Sequence, residues 1–319
     1  MTLVVKKILS LFEQMPAVEG RLRADADLSK VTWFQVGGSA DVLFKPKDED
    51  DLSNFLIKLS TDIPVFTLGV GSNLLVRDDG FRGVVLRLGR EFTKMEIVND
   101  TCIRIGAGAL DINVAKFAGE AGLTGAEFLS GIPGAIGGAL RMNAGAYGTE
   151  MKDIVLSVVA YDRQGKRHEL CPADMGFSYR HCDIPLDWIF TEAMIQLQKG
   201  NKSDIGERMK EISKNREDSQ PIKSRTGGST FANPEGKKAW ELIDAVGARG
   251  LTIGNAQISD KHCNFLINKG GATAADIEAV GEEARRRVFK EFDTLLRWEI
   301  VRIGDPLLPK EKQDQGAKK

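Results

Sequence analysis

The sequence predicts an α+β protein of two domains, and three observations carry that prediction. The chain has 319 residues, beyond the usual size of a single domain. Short apolar strand-like runs and amphipathic helical stretches are interspersed along it. Several of the strands run straight into glycine-rich loops, yet no loop shows the GxGxxG turn, following helix and acidic residue of a dinucleotide fold. Hydrophobic residues make up 42% and charged residues 28%, the ordinary balance of a soluble globular chain. The net charge of -1 supplies no global field for nucleic acid or an anionic membrane.

The elements follow in order. Residues 1–20, beginning MTLVVKKILSLFEQMP, read as a short N-terminal amphipathic helix; lysines after a very short apolar start, with no small-residue cleavage site, make a poor signal peptide. Residues 40–44 and 64–68 are strands flanking a helix at 50–59, one βαβ-like unit. Further strands lie at 83–88 and 103–105, and a helix at 110–121 is closed by Gly122. Residues 155–162 and 166–170 form a hairpin. A polar segment at 199–202 precedes a charged helix at 203–217, and the boundary is set there: a first domain at 21–200 and a second at 201–304. In the second, residues 237–246 are a helix capped by Gly247 and 265–267 a strand. Thr273 and Asp276 form a capping box opening a helix with the stripe Ile277, Val280, Ala284 and Val288. Residues 295–303 read as a strand and 305–319 as a flexible tail.

The cysteines Cys102, Cys171, Cys182 and Cys263 form no CxxC pair, and with 3 histidines no metal-ligand spacing appears. They read as reduced thiols, which points to the cytoplasm. The least polar stretch, 122–140, is interrupted by glycines, Pro133 and Glu127, so it predicts loops rather than a membrane span. Glycine-rich loops let backbone N–H groups approach a phosphate without interference from Cβ. Any single loop here serves equally as a tight turn, and a Walker lysine is missing.

Taken together, the runs 32–38 (TWFQVGG), 68–75 (LGVGSNLL), 130–138 (SGIPGAIGG), 143–148 (NAGAYG), 177–180 (FSYR), 228–234 (GSTFANP) and 257–262 (QISDKH) resemble the UDP-N-acetylenolpyruvoylglucosamine reductase family, also called UDP-N-acetylmuramate dehydrogenase. The resemblance spans about residues 30–304. It implies a two-subdomain FAD-binding domain of the vanillyl-alcohol-oxidase (PCMH) type, followed by a smaller α+β substrate-binding domain. It further implies non-covalent FAD, NADPH as electron donor, and reduction of UDP-N-acetylglucosamine enolpyruvate to UDP-N-acetylmuramate for peptidoglycan precursors. Gly69, Gly71, Ser72 and Asn73, with Gly131, Ile132, Pro133, Gly134 and Gly137, would hold the FAD pyrophosphate, and Asn143 and Gly145 would lie near the flavin. Ser72 and Asn73 stand where the wider superfamily places a covalent His or Cys tether, so the flavin should dissociate.

Arg180 matches the family's carboxylate-binding arginine, Ser229 its proton donor and Glu299 its second acid. From the residues alone, Arg180 reads more readily as a surface ion pair and Ser229 as a turn cap. Glu299 sits in a strand pattern beside Leu295, Val301 and Ile303, so it is either paired structurally or placed for chemistry. Tyr179, Arg225 and Asn233 are candidates for the substrate, the last two for its UDP end. His262 is expected in a supporting role, since no nucleophile motif accompanies it. Only about twenty residues separate Arg180 from the helix at 203, so the inserted tyrosine loop of longer family members is absent. This is the pattern of the shorter subtype. The expected partners are the UDP-sugar and NADPH, with no nucleic acid and no membrane insertion, in a monomer or at most a weak homodimer. The rivals are a flavin oxidase acting on another alcohol, and a flavoprotein that senses the UDP-sugar without turnover.

Overall fold

The computed structural model describes residues 11–305. Residues 1–10 of the expected N-terminal helix and 306–319 of the expected tail lie outside the described residues. The chain forms two compact units: one comprises the described residues up to Ala26, then Asp41–Ser72 and Gly83–Ile222, the other Asp27–Ala40, Asn73–Arg82 and the chain from Lys223 on.

The first unit holds two larger sheets among its described residues. A four-stranded sheet has the order Arg21–Asp27, Ser39–Lys45, Phe81–Leu86, Val65–Thr67. The helix Glu49–Lys58 starts where Asp48 accepts a hydrogen bond from the Asp51 N–H, with acidic residues throughout its first turn, the arrangement that satisfies and complements a helix N-terminus. It buries Leu52, Phe55 and Leu56 among Val42, Phe44, Val84 and Leu86. The expected βαβ-like unit is interleaved: Phe81–Leu86 lies between the strands that flank the helix, and Val65–Thr67 pairs parallel with it, Val65 opposite Val84. Asp51 fixes the entry to this sheet. Its carboxylate accepts the N–H groups of Glu19 (2.8 Å), Gly20 (2.9 Å) and Lys47 (2.9 Å).

The second sheet of this unit has the order Arg167–Leu170, Val155–Tyr161, Ile189–Gln196, Cys102–Gly106, Met95–Ile97 and is antiparallel throughout. Asp162 closes its hairpin by accepting the N–H groups of Gln164 and Lys166 at 2.9 Å. The helices Asp111–Glu120 and Ile136–Arg141 cover it, burying Val114, Ala118, Ile136 and Leu140 with Ile103, Ile105 and Ile195. The helix Lys202–Ser219, grouped with the C-terminal domain in the sequence reading, belongs to this unit. Its buried Ile205 and Ile212 sit against Gly119 and Gly131, where an added Cβ would come within 3.1 Å and 2.9 Å of their methyls. The polar residues 199–202 therefore cap a helix rather than link two units.

The second unit is built on an antiparallel sheet in the order Arg225–Ser229, Phe265–Asn268, Ala256–Ile258, Thr252–Ile253. The helix Ala274–Phe292 packs on it with the expected stripe Ile277, Val280, Ala284 and Val288, and the Thr273–Asp276 capping box is formed reciprocally. Phe34, Val36 and Leu75, far away in sequence, complete this core. Asn268 holds one of those returning segments by donating to the Phe34 carbonyl at 2.8 Å. Glu278 holds the other through a forked pair with Arg77, at 2.8 and 3.0 Å.

The strand expected at 295–303 is a correction. Only Val301–Ile303 is a strand, parallel to Leu74–Val76. Leu295 is 65% exposed while Leu296 and Ile300 are buried, so Leu295, Glu299 and Ile303 do not share one alternating face. The chain leaves the helix at Asp293 in the left-handed region (φ 49°) and then follows the irregular segment 230–232, bridging Trp298 to Phe231. Backbone groups across that contact set the side-chain directions, and they have no period of two.

Asp51→Ala should destabilise the protein by about 3 kcal/mol, because three N–H groups lose an acceptor in a site closed to water. Urea denaturation checks this, and Asp51→Asn should retain part of the stability.

Candidate active site

In the first unit, residues 107–111 and 131–137 are stitched backbone to backbone. Gly137 N–H donates to Ala107, Ile136 to Ala109 and Asp111 to Gly134, at 2.8, 3.0 and 3.1 Å. Gly134 and Gly137 follow from this closeness, and Gly131 from a second contact. A Cβ at Gly131 would lie 3.0 Å from the Tyr147 ring, one at Gly137 would lie 3.3 Å from the Ala107 carbonyl, and one at Gly134 would overlap the Asp111 carboxyl. Ile132 and Pro133 are half-buried between them. Gly69 behaves differently, because nothing lies within 4 Å of its added Cβ, and Gly71 adopts φ 68°. Gly138, beside the start of the helix Ile136–Arg141, is also open. Gly69 is thus free of packing constraints, while packing explains Gly131, Gly134 and Gly137.

Asn143 is fully buried at φ 38° and its amide is saturated within the protein. It donates to Glu150 (3.0 Å) and to the Ser178 carbonyl (3.1 Å), and accepts from the Lys152 N–H (2.9 Å). Its side chain is thus a structural pin, and any approach to a flavin falls to backbone. The pairs Gly145–Ala146 and Thr149–Glu150 form a hairpin whose two central residues, Tyr147 (φ 55°) and Gly148 (φ 88°), are both left-handed, as a type I′ turn requires. Burial disfavours the Glu150 carboxylate, but hydrogen bonds from Lys152 and Asn143, with the charge of Arg180, hold it below its ordinary range. Arg180 tops a tight turn in which Ser178 and His181 exchange backbone hydrogen bonds. It has φ 55°, donates from Nη2 to the Gly145 carbonyl at 3.0 Å, and stacks 5.2 Å from the ring of exposed Tyr179. Arg180, Gly145 and Asn143 are therefore one cluster.

In the second unit, Ser229 ends the strand Arg225–Ser229 after a bulge at Gly227-Gly228. Gly228 has φ 78°, and a Cβ at Gly227 would overlap the Phe34 ring. Asn264 sets the next step, accepting from the Phe231 N–H (2.9 Å) and donating to the Phe231 carbonyl (2.8 Å). The Thr230 carbonyl then accepts the Glu299 N–H at 2.8 Å, and the Glu299 carbonyl accepts the Asn73 amide at 3.1 Å. Ser229 and half-buried Glu299 are thereby tied to adjoining backbone. Asn73, expected at a phosphate, uses its amide N–H on this contact. Asn233 is exposed, and its carbonyl accepts the Ala239 N–H at 3.0 Å, so it serves the start of the helix Ala239–Ala245. Arg225 is exposed at the opposite end of its strand from Ser229, a span of roughly 13 Å. His262 stacks edge-on against Phe265, and burial holds its imidazole below the ordinary range.

Known proteins match both halves of this arrangement. Residues 40–170 match a family model described as FAD binding domain, and residues 220–303 one described as UDP-N-acetylenolpyruvoylglucosamine reductase, C-terminal domain. The UDP-N-acetylenolpyruvoylglucosamine reductase of Parvibaculum lavamentivorans is 58% identical over 92% of this chain and 95% of its own. The chain belongs to the UDP-N-acetylenolpyruvoylglucosamine reductase family. The enzyme of that name from Rhodospirillum rubrum is 57% identical over 92% of this chain and 93% of its own. The crystal structure of the Thermus caldophilus UDP-N-acetylenolpyruvylglucosamine reductase superposes with a TM-score of 0.78 at 36% identity, covering 89% of this chain and all of that one. The expected architecture, an FAD-binding domain and a smaller α+β domain, is that of this family. Open Gly69, left-handed Gly71 and the absence of a His or Cys between them and Asn73 fit a reductase flavin held without a covalent bond. No described helix is long and apolar enough to cross a membrane.

The residue that the sequence reading passed over is Asp111, whose carboxyl dictates Gly134. Its only sequence signal is an acid at the first position of a helix, which reads as ordinary helix-dipole chemistry.

Gly69→Val should empty the flavin site with little change in melting temperature, whereas Gly134→Ala should cost about 1–3 kcal/mol of stability through overlap with Asp111. Flavin absorbance and thermal melts separate the two. Equal effects on both readouts would refute the division between access and packing glycines.

Proposed function

We propose that Arg180, Ser229 and Glu299 carry the chemistry of an FAD-dependent oxidoreductase that reduces UDP-N-acetylglucosamine enolpyruvate to UDP-N-acetylmuramate with NADPH. The membership of the family supports the reaction. The observation that supports the residues is the rigid setting of each reactive side chain, a left-handed turn for Arg180 and a bulge and backbone tie for Ser229 and Glu299. Gly69, Gly71 and Ser72, with the loop Gly131–Gly137, hold the FAD pyrophosphate in this proposal, and Asn143 and Gly145 shape the floor beneath Arg180.

Held by Gly69, Gly71, Ser72 and the loop Gly131–Gly137, FAD would supply hydride chemistry between NADPH and the distal vinyl carbon of the substrate. The protein's task is the charge that then develops on the carboxylate-bearing fragment. Arg180 holds that carboxylate with a planar fork of donors, already oriented by its bond to Gly145. Glu299 assists the same charge as a hydrogen-bonding acid. Ser229 places its hydroxyl to deliver the proton to carbon. Tyr179 stacks on Arg180 and borders the substrate, and Arg225 and Asn233 are assigned to the UDP end. NADPH and the UDP-sugar take turns at one flavin face. The protein acts in the cytoplasm as a monomer or weak homodimer.

NADPH consumption that depends on the enolpyruvyl sugar separates a reductase from a sensor. Ser229→Ala should still be bleached by NADPH at close to the normal rate, while reoxidation by the sugar slows roughly 10²- to 10⁴-fold. Rapid mixing of each half-reaction measures this, and unimpaired reoxidation would remove Ser229 from the proton-donor role. Arg180→Lys keeps the charge but loses the fork, so turnover should fall about 10- to 100-fold with flavin content unchanged. Unaltered turnover would return Arg180 to a surface role.

A further inference from the structure

Asp111 occupies the first turn of the helix Asp111–Glu120 and is 0% exposed. Neither carboxyl oxygen has a hydrogen-bond partner among the described residues. Such a group in a site closed to water costs far more charged than neutral. It lies directly beneath Gly134, which has no room for a side chain on that face, and the Asp111 N–H donates to the Gly134 carbonyl. The carboxyl and the loop thus form one packed unit.

We propose that Asp111 is a positioning residue for FAD: its neutral carboxyl lets the loop Gly131–Gly137 close on the pyrophosphate, and loss of its proton to solvent opens the loop and releases the flavin. This rests on the assignment of that loop to the pyrophosphate. A carboxylate so placed would both lack a counterion and repel a dianion, whereas the neutral form does neither. Burial alone raises Asp111 well above its ordinary value of 3.8. The segments 107–110 and 131–137 contain no titratable side chain. Of the elements packed on its helix, the turn Glu127–Gly131 carries Glu127 and the helix Lys202–Ser219 carries Lys202, Asp204, Glu207, Arg208, Lys210, Glu211, Lys214, Arg216, Glu217 and Asp218, and the helix itself carries Lys116 and Glu120; none of these contributes to the rise, which burial alone causes. Glu127 is engaged by Thr124 and the Gly125 N–H.

The sign follows from the raised value. The stabilisation from neutral Asp111 is complete below 3.8 and is lost as pH rises through the higher value in the folded protein. Flavin binding has the same sign, because the loaded form keeps the proton.

The test is flavin release from the purified holoenzyme, followed by fluorescence across pH, beside urea unfolding at each pH, for the natural protein and Asp111→Asn. The natural protein should lose FAD affinity by up to about tenfold per pH unit through the ionisation. Asp111→Asn should flatten both profiles. If both profiles of the variant follow the natural protein, Asp111 is not the titrating group and the proposal falls, with the loop assignment untouched. If only the unfolding profile flattens, the carboxyl is neutral as stated but the loop does not hold the flavin, and it is the loop assignment that fails. Should the variant not fold, infrared titration of the protonated carboxyl band in the natural protein decides. Loss of that band together with flavin supports the proposal, and loss at a different pH overturns it.

Discussion

Direct backbone contact between residues 107–111 and 131–137 is the constraint on which the first unit depends. Two peptide segments approach closely enough to exchange N–H···O bonds only where side chains are removed from the facing surfaces, and here the removal is written as Gly134 and Gly137. The contact fixes the start of the helix Ile136–Arg141, and that helix ends two residues before Asn143, with Met142 as its C-cap. Asn143 then spends its whole amide on joining residues 150–152 to Ser178. Through that chain of bonds the glycine loop and the turn bearing Arg180 become one rigid body within the unit. A methyl group at Gly134 is thus felt at a distance from the loop itself.

Strain is concentrated along the same path. Asn143, Tyr147 and Arg180 all have positive φ without being glycine, at a cost of about 1–3 kcal/mol each. Each is compensated locally: Asn143 by its three hydrogen bonds, Tyr147 by its hydroxyl on the Ile212 carbonyl at 3.2 Å, Arg180 by the Gly145 carbonyl. Such over-determined turns hold a side chain in one direction before any ligand arrives, which lowers the ordering cost of binding. The second unit sets Ser229 and Glu299 by a different device. It uses the glycine bulge before Ser229 and the doubly bonded Asn264 to force the backbone of Thr230 against that of Glu299.

The two devices respond differently to change. Hydrogen bonds between main-chain groups tolerate most side-chain substitutions, so the Thr230–Glu299 contact depends chiefly on Asn264 and the two glycines. The Asp111–Gly134 contact depends on a single carboxyl in an apolar site.

Most of the element order was legible from periodicity and capping chemistry: the hairpin closed by Asp162, the helix opened by Thr273 and its apolar stripe all lie within a few residues of their expected places. Long motifs in a fixed order identified the family, because each preserves a backbone shape as well as a side chain. The sequence did not disclose what each glycine is for, since a glycine facing a phosphate and one facing a carboxyl are written identically. It misassigned 295–300 to a strand because the apolar pattern there is set by contact with residues 230–232, more than sixty positions away. It left Asn73, Asn143 and Asn233 as ligand candidates, although their amides are bonded to protein groups that only the folded chain brings near. The sequence by itself determined the local elements and the family, because propensity, capping and motif are properties of neighbouring residues. The tertiary structure alone decided which polar groups are already satisfied, because hydrogen-bond partners distant in the chain meet only when the core is formed.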